Sequence, residues 1–424
     1  MERNSALYQQ YTNILREELV PAMGCTEPIA IAYAAAKCRA LLSCMPERLT
    51  LRVSGSIIKN VKSVIVPNTG GRKGMEVAVA AGTVAGDEDA KLQVLANIQP
   101  EQHRQMERFL ADVPIEIQPS CNGIQFYIDL MAFGKGHCSR VVIAYHHTNI
   151  VRIEMDGNVL LDLPEQSSEG YGTDRSVLTV AGICDYARTL APEDVEPMIG
   201  RQIACNSALS QEGLSNPWGA QIGRILKRDS GGDVRFEARA AAAAGSDARM
   251  NGCELPAIIL SGSGNQGLTA TMPILVYGEH LHSTKEQILR ALVLSDLITV
   301  HQKTGIGSVS AFCGAVCAGA GAGCGIALLQ GADDDVICHT LVNTLAILSG
   351  MICDGAKSSC AAKISAAVDA GILGYSMYMH GQQFYGGDGI VKKGVEASIN
   401  SVCEVAREGM RETNERILEV MLQK

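Results

Sequence analysis

Residues 304–332 read TGIGSVSAFCGAVCAGAGAGCGIALLQGA and contain no charged side chain. The run exceeds the roughly 20 residues that a membrane-spanning helix needs, so a membrane protein such as a small-solute transporter has to be considered. However, its glycine, alanine, serine and cysteine content, with few leucine, isoleucine or phenylalanine residues, makes a weak lipid-facing segment. We therefore predict a buried central helix, or two helices separated by glycines, rather than a membrane span.

The composition of the whole chain indicates a core of small side chains. The 424 residues are 47% apolar but only 4% aromatic, and they include 44 glycines, which favours close packing of helix backbones. This length predicts two or three domains, since a domain usually has roughly 100–200 residues. The formal net charge of −9 and the absence of a long lysine and arginine run argue against a nucleic-acid partner.

The cysteine content indicates reduced thiols or metal ligands. The 15 cysteines among 424 residues are sparser than the roughly 8–10% found in disulfide-stapled secreted scaffolds. Residues 1–18 are polar and charged and lack the apolar segment of a signal peptide. We expect a cytoplasmic protein without a membrane partner, and homo-oligomerisation is left open.

The hydrophobic pattern predicts an α+β fold. Residues 7–42 have a helical pattern that is interrupted at residues 21–28, where we expect Thr26 to be the N-cap of a second helix. Asp156-Gly157 is a hairpin signal, so we expect an antiparallel sheet with helices on one side. Strands are predicted at residues 49–66, 113–117, 124–130, 140–146 and 150–154, with helices between residue 74 and about residue 110.

The polar residues 164–175 are predicted to link two domains. We expect an N-terminal α+β domain over residues 1–165 and an all-helical domain over residues 175–424. The tail, residues 391–422, is predicted to be one amphipathic helix. Breaks between the helices of the second domain are predicted at residues 216–217, 229–233, 261–267 and 331–335.

The segment Gly262-Ser-Gly-Asn-Gln-Gly267 fits the G-x-G-x-x-G fingerprint of a nucleotide-binding oxidoreductase. That fold would continue into an uninterrupted helix and an alternating βα pattern, but Pro273 follows soon afterwards. Two other interpretations stay open. The segment is either a tight turn or a nest of backbone N–H groups that holds a substrate carboxylate, with Asn265 as a side-chain donor.

A second glycine-rich segment, residues 67–74, leaves a similar choice. Its residues Arg72 and Lys73 either bind an anion or belong to a solvated turn.

The cysteines of the second half are Cys313, Cys317, Cys324, Cys353 and Cys360, among others. No C-x-x-C motif occurs, so neither a structural zinc site nor a thioredoxin-type pair is indicated. A continuous helix would hold Cys353 and Cys360 about 10 Å apart, too far to share a small cluster, unless Asp354-Gly355 breaks it. From spacing alone, small buried cysteines in an Ala/Gly core are the favoured interpretation.

Cys25 directly precedes the predicted second helix. The partial positive charge of a helix start lowers the pKa of a thiol, which would make Cys25 a usable base or nucleophile. A buried, inert thiol is nevertheless the commoner fate of such a residue.

The motif Met23-Gly-Cys25-Thr26-Glu27-Pro28, followed by an alanine-rich helix, resembles the signature of the L-cysteine desulfidase family, relatives of the iron–sulfur L-serine dehydratases. The resemblance covers nearly the whole chain. Each motif alone is weak evidence for the family, but this many motifs in the family's order are strong evidence. The further matching segments are Lys59-Asn60, residues 67–71, Lys73-Gly74, residues 147–149, residues 261–267, Cys313-Gly314 and residues 353–360.

This resemblance implies β-elimination of L-cysteine to pyruvate, ammonia and hydrogen sulfide without pyridoxal phosphate. It implies that Cys313, Cys353 and Cys360 hold an oxygen-sensitive 4Fe–4S cluster with one open iron in a helical catalytic domain. Cys25 would be the base that removes the Cα proton. Our own hypothesis is that the two glycine-rich turns hold the substrate carboxylate, because their free N–H groups suit an anion. The implied substrate-binding residues are Thr26, Glu27, Lys59, Asn60, Asn68, Thr69, Gly70, His147, Asn149, Ser261, Ser263 and Asn265.

An iron–sulfur L-serine dehydratase is the alternative within the same chemistry. Those enzymes carry a Ser-Ser-His-Thr run where this chain has Gly24-Cys25-Thr26, and their C-terminal cluster cysteines are more widely spaced. Both departures favour cysteine over serine as the substrate without excluding serine. Cys317 and Cys324 match no role in the family, so we expect them to pack in the core.

Overall fold

A six-stranded sheet dominates the first part of the computed structural model, which describes residues 1–163, 172–307 and 310–423. The strands of the chain are β1 (Pro21–Met23), β2 (Arg48–Val53), β3 (Ile115–Pro119), β4 (Tyr127–Gly134), β5 (His137–Ala144), β6 (Ile150–Met155), β7 (Asn158–Asp162) and β8 (Pro256–Ile258). The order in the large sheet is β3-β2-β4-β5-β6-β7. Neighbouring strands are antiparallel except β2 and β3, so the predicted antiparallel sheet is confirmed apart from that parallel pair.

Five helices accompany this sheet in the described residues before 164. They are α1 (Ala6–Glu18), α2 (Thr26–Leu42), α3 (Gly55–Val61), α4 (Met75–Ala85) and α5 (Pro100–Asp112). Helix α2 packs across β4 and β5 and is buried along most of its length. The connection from β2 to β3 runs through α3, α4 and α5, and a crossover of this kind is what a parallel pair requires.

The prediction of one strand over residues 49–66 is wrong in its second half. The strand ends at Val53, and α3 begins at Gly55 after Ser54, whose backbone is extended. The branched residues Ile57, Ile58 and Val61 have the helical spacing that buries them together. Their high strand propensity was the misleading signal, because propensity yields to packing.

The second part of the chain is helical except for β8. Its helices are α6 (Val180–Thr189), α7 (Glu196–Ser215), α8 (Ile222–Asp229), α9 (Val234–Met250), α10 (Gly264–His280), α11 (Lys285–Ile306), α12 (Ala315–Leu329), α13 (Asp334–Leu348), α14 (Cys360–Met379), α15 (Val395–Glu404) and α16 (Arg411–Leu422). The predicted breaks at residues 216–217, 229–233 and 331–335 are confirmed, whereas the break predicted at residues 261–267 ends earlier, because α10 begins at Gly264. The single tail helix is not confirmed, because a π-helical turn, Val405–Gly409, separates α15 from α16.

Helix α12, the core of the uncharged run, is buried among α10, α11, α13 and α14. Two successive glycines of α12 lie against the backbones of two different helices, α14 and α11. A Cβ atom on Gly319 would lie 2.4 Å from the carbonyl oxygen of Ala367 in α14, and one on Gly321 would lie 2.4 Å from that of Ser295 in α11. The predicted close approach of backbones in a buried central helix is therefore confirmed.

None of the helices in the described part of the chain combines the length and the apolar character that crossing a membrane demands.

A strand pair and a shared hydrophobic core connect the two parts of the chain. Strand β1 pairs with β8, and α1 contributes Tyr8 and Tyr11 to the same hydrophobic core as Tyr186 of α6. Of the predicted linker, residues 164–171 lie outside the described residues. The division into domains at residues 165–175 stays a prediction.

Candidate active site

A cavity of about 120 Å³ lies between residues of the two parts of the chain. Its walls come from the start of α2, from α3, from the end of α9, and from the segments that precede α10, α12 and α14. The predicted site residues on its walls are Cys25, Thr26, Glu27, Asn60, Ser263, Asn265, Cys313, Cys353 and Cys360. The structure thus brings the proposed base and the proposed cluster ligands to one space.

The β1–β8 pair positions the start of α2 in this cavity. The amide of Ile259 donates to the carbonyl of Val20 at 2.9 Å, which fixes the segment that follows β8 beside β1. Cys25, not Thr26 as predicted, is the N-cap residue of α2. Thr26 is already the first helical residue, and its hydroxyl donates to the carbonyl of Gly262 at 2.9 Å instead of capping the helix.

Cys25 and Glu27 form a buried pair at the start of α2. The Cys25 thiol donates to Oε2 of Glu27 at 2.9 Å. Burial raises the pKa of Cys25 well above its usual value, and the negative charge of Glu27 adds to this effect. The expectation of a thiolate from the helix start alone is therefore reversed, because burial, together with the neighbouring carboxylate, raises the pKa of the thiol.

Glu27 is the charged member of this pair. Burial by itself would raise the pKa of Glu27, but the charge of nearby His147 and hydrogen bonds from Cys25 and Asn60 lower it overall. Asn60 donates to Oε1 at 2.8 Å. His147 lies outside the cavity wall against the ring of Phe126, and burial lowers its pKa.

A short bridge between two loops sets Cys313 beside Cys353. The Cys313 amide donates to the carbonyl of Met351 at 3.0 Å, and the Cys353 amide donates to that of Ala311 at 2.6 Å. The interaction between the two thiols raises the pKa of Cys313 and lowers that of Cys353. Two thiols that are distant in sequence from one another thus become direct neighbours.

Cys360 reaches the same cavity because the chain from Cys353 to Ser359 is not helical, as the Asp354-Gly355 sequence predicted. Helix α14 begins only at Cys360, whose thiol contacts the carbonyl of Gly355 at 3.7 Å. Asp354 pairs with Lys357 at 2.5 Å and also with Lys363, which holds the loop in shape.

Two lysines place positive charge next to these thiols. Lys59 donates to the carbonyls of Cys353 and Ser310 at 3.2 and 3.4 Å, and Lys303 lines the cavity itself. The neighbouring Cys313 thiol lowers the pKa of Cys353, and the charges of both lysines lower it further against the effect of burial. The site is therefore suited to bind a group through thiolate sulfur.

The donor set has the chemistry of an iron–sulfur site, because three thiols of the second half of the chain line one cavity. In the described ranges, no set of three or more His, Cys, Asp or Glu side chains is arranged around one metal ion. The thiols instead line a cavity, and a cluster takes its thiolates on separate iron atoms around a space. Cys317 and Cys324 are fully buried in α12 and do not line the cavity.

Sequence reasoning missed Arg249, Lys303 and Gln266, all of which line the cavity. Arg249 ends the alanine-rich helix α9 and is only 4% exposed. A cation shortly after the alanine run of residues 240–244 was the signal that could have identified it, since such a run predicts a buried helix and buried charges need a reason.

The three glycines of the G-x-G-x-x-G segment are explained by close packing. Added Cβ atoms would lie 2.8 Å from the ring of His147 at Gly262, 2.3 Å from Nε of Arg249 at Gly264, and 2.0 Å from a β8 carbonyl at Gly267. Strand β8 is antiparallel to β1, which is not the dinucleotide-binding arrangement. The predicted interruption of the helix is wrong, because α10 continues through Pro273.

The remaining predicted residues lie outside the cavity wall. Asn68 donates to the carbonyl of Leu95 at 2.7 Å, and Thr69 donates to that of Val66 at 2.7 Å. The side chains of this turn therefore bind backbone carbonyls next to the turn. The charged neighbour Arg72 pairs with Glu107. The predicted residues that do not line the cavity are Lys59, Asn68, Thr69, Gly70, His147, Asn149 and Ser261.

Comparison with known proteins identifies the class to which this fold and site belong. The family described as serine dehydratase alpha chain matches residues 89–419, and the chain belongs to this family. The predicted kinship with the serine dehydratases is thereby confirmed. The match includes the three cysteines of the cavity, whereas Cys25, Glu27 and Asn60 precede it.

Individual relatives resemble the chain over its full length. A UPF0597 protein of Desulfitobacterium hafniense is 51% identical over 423 residues, which cover 100% of this chain and 98% of the relative. UPF0597 proteins of Lachnoclostridium phytofermentans and Treponema denticola are 46% and 42% identical, covering 98% and 100% of this chain and 100% of each relative.

Proposed function

We propose that this protein is an iron–sulfur-dependent lyase that converts L-cysteine to pyruvate, ammonia and hydrogen sulfide. The observation that carries the proposal is the shared cavity of Cys25, Glu27 and the three thiols of Cys313, Cys353 and Cys360. Membership of the serine dehydratase alpha chain family supports elimination chemistry on a small amino acid. A cytoplasmic location fits the proposal, because reduced thiols persist there.

Cys313, Cys353 and Cys360 would hold a 4Fe–4S cluster with an open iron site. When bound, such a cluster supplies a Lewis acid for the carboxylate and the leaving group of the substrate. The cationic side chains of Lys59 and Lys303 stabilise the thiolate form of the ligands.

The Cys25–Glu27 pair carries one negative charge and can accept one proton. Cys25 takes the Cα proton at Sγ while its own thiol proton passes to Oε2 of Glu27 along the existing hydrogen bond. The electron pair of the broken Cα–H bond forms the Cα–Cβ double bond, and the sulfur leaves with the electrons of the Cβ–S bond. Water then hydrolyses the aminoacrylate to pyruvate and ammonia.

L-Serine is the second candidate substrate, because the matching family is described as serine dehydratase. The Gly24-Cys25-Thr26 sequence and the short spacing between Cys353 and Cys360 favour L-cysteine. Kinetics with both substrates on the same anaerobic preparation distinguish them. A higher kcat/KM for sulfide release from L-cysteine supports a desulfidase, and a higher kcat/KM for pyruvate formation from L-serine supports a dehydratase.

The cluster itself is tested by iron and sulfide analysis after anaerobic purification. We expect iron in the wild-type protein and its loss in Cys313→Ala, Cys353→Ala and Cys360→Ala. Cys317→Ala is the matched control, since Cys317 is a buried cysteine of α12 outside the cavity wall. Iron retained in all three ligand variants, or lost equally in the control, would contradict the proposal.

A further inference from the structure

Arg249 is a buried cation at the end of α9 whose charge is only partly compensated by hydrogen bonds. Its Nη1 donates to Oδ1 of Asn265 at 3.1 Å and contacts the sulfur of Met250 at 4.0 Å, while its Nε has no partner. Within the described residues, its hydrogen bonds thus reach an amide and a thioether but no carboxylate. A guanidinium with five N–H donors is costly to bury in this state.

The surroundings of Arg249 fit an anionic ligand. Asn265 belongs to the first turn of α10, and Ser263, the N-cap residue of that helix, makes no side-chain cap hydrogen bond. Both residues line the cavity together with Arg249. The start of a helix carries partial positive charge and free N–H groups, so an anion between α10 and Arg249 would meet donors from both.

The backbone is shaped to admit this arginine. A Cβ atom on Gly264 would lie 2.3 Å from Nε of Arg249, so the glycine at this position lets the guanidinium lie against the start of α10. The same glycine belongs to the segment that the sequence offered as a carboxylate nest. The structure adds the side-chain cation that such a nest lacked.

We propose that Arg249 binds the α-carboxylate of the substrate together with Asn265 and the start of α10. The site then selects free α-amino acids over their esters and over amines without a carboxylate. This inference rests on the proposed function for the type of ligand, and it assigns the positioning of that ligand to a residue outside the resemblance. A bidentate guanidinium–carboxylate contact would orient the Cα–H bond toward Cys25.

A competing role for Arg249 is to balance the charge of Glu27, whose negative charge raises the pKa of the guanidinium against the effect of burial. Such a role would not depend on whether the ligand carries a carboxylate. Comparison of an acid with its ester therefore separates the two roles.

The experiment measures equilibrium binding of L-cysteine and of L-cysteine methyl ester to anaerobic, cluster-loaded protein in a Cys25→Ala background. We expect the acid to bind at least about tenfold more tightly than the ester, as for a charge-assisted contact. In Arg249→Gln this ratio should fall by about tenfold, the preference that the open iron gives to the acid being left in place, and Arg249→Lys should show a smaller fall.

Arg239→Gln is the matched control. Arg239 lies on the same helix but pairs with Asp369 at 3.2 Å and does not line the cavity, so the acid-to-ester ratio should stay unchanged. Circular dichroism melting verifies that each variant is folded.

The results distinguish the role of Arg249 from the proposed reaction. An unchanged ratio in Arg249→Gln, or equal weakening of both ligands, would overturn the role of Arg249. If the ratio falls as expected but the wild-type protein, with Cys25 in place, releases no sulfide from L-cysteine, the carboxylate site is supported and the proposed reaction is overturned.

Discussion

The thiol of Cys25 donates to Oε2 of Glu27 over 2.9 Å. Both residues line the cavity that Cys313, Cys353 and Cys360 also line. The negative charge of the pair resides on Glu27, because burial raises the pKa of the thiol while hydrogen bonds and His147 lower that of the carboxyl despite its burial. A base at this position is therefore a property of two residues. The helix start alone would not supply it.

Replacement of Glu27 by Gln should abolish most of the activity. The amide cannot take the thiol proton, so kcat/KM for sulfide release should fall by about 100- to 10,000-fold, the usual contribution of a positioned base. Glu27→Asp keeps the charge at a shorter reach and should lose less. Iron content should be unchanged in both variants, and wild-type turnover by Glu27→Gln would show that the carboxylate is not required.

Two helix glycines should respond in opposite ways to alanine. Gly319→Ala should destabilise the protein by about 1–3 kcal/mol, since the new methyl group would lie 2.4 Å from the carbonyl oxygen of Ala367. Gly200→Ala should stabilise it by about 0.5–1 kcal/mol, because nothing lies within 4 Å of its Cβ position in α7. Urea unfolding of both variants measures this contrast, and equal effects would contradict it.

The sequence was informative where one physical rule dominates. The uncharged Gly/Ala run could only be buried against close neighbours, so helix α12 was predictable. Residues 55–61 were not, because their branched side chains favour a strand until the surrounding core is known. Arg249 and Asn68 show the same limit within the site. The first enters the cavity and the second does not, through contacts between segments that are distant in sequence.

Asp296 should make stability depend on pH. It is fully buried in α11, accepts a hydrogen bond from Gln202 at 2.9 Å, and its pKa is raised by burial from 3.8 to about 8. Between these values the folded state keeps a proton that the unfolded state has lost, so stability falls as pH rises toward about 8.

Asp296→Asn is neutral throughout and removes this dependence. Its stability relative to wild type should increase with pH, by up to about 1.4 kcal/mol per pH unit, and then level off above a pH of about 8. Denaturant unfolding of the reduced, cluster-free proteins at several pH values measures the difference. A difference that does not change with pH would mean that Asp296 is already ionised in the folded protein.

The last prediction concerns Lys59, which connects the candidate site to the C-terminal helix α16. Its Nζ donates to Oδ1 of Asn414 at 2.7 Å in addition to the carbonyls of Cys353 and Ser310. Lys59→Met would leave these partly buried acceptors without their donor, at a cost of up to about 1–3 kcal/mol for each group that stays unsatisfied. Helix α16 should then detach more often from α3.

Limited trypsin digestion reports this detachment, because α16 contains Arg411 and Arg416 and cleavage follows the population of the open form. We expect initial cleavage in α16 to be at least about tenfold faster in Lys59→Met. Lys62→Met is the control, since Lys62 is exposed and donates to the carbonyl of Met421 near the end of the same helix. Cleavage at the wild-type rate in Lys59→Met would show that apolar contacts, such as that of Leu418 with Gly55, hold α16 without the ammonium group.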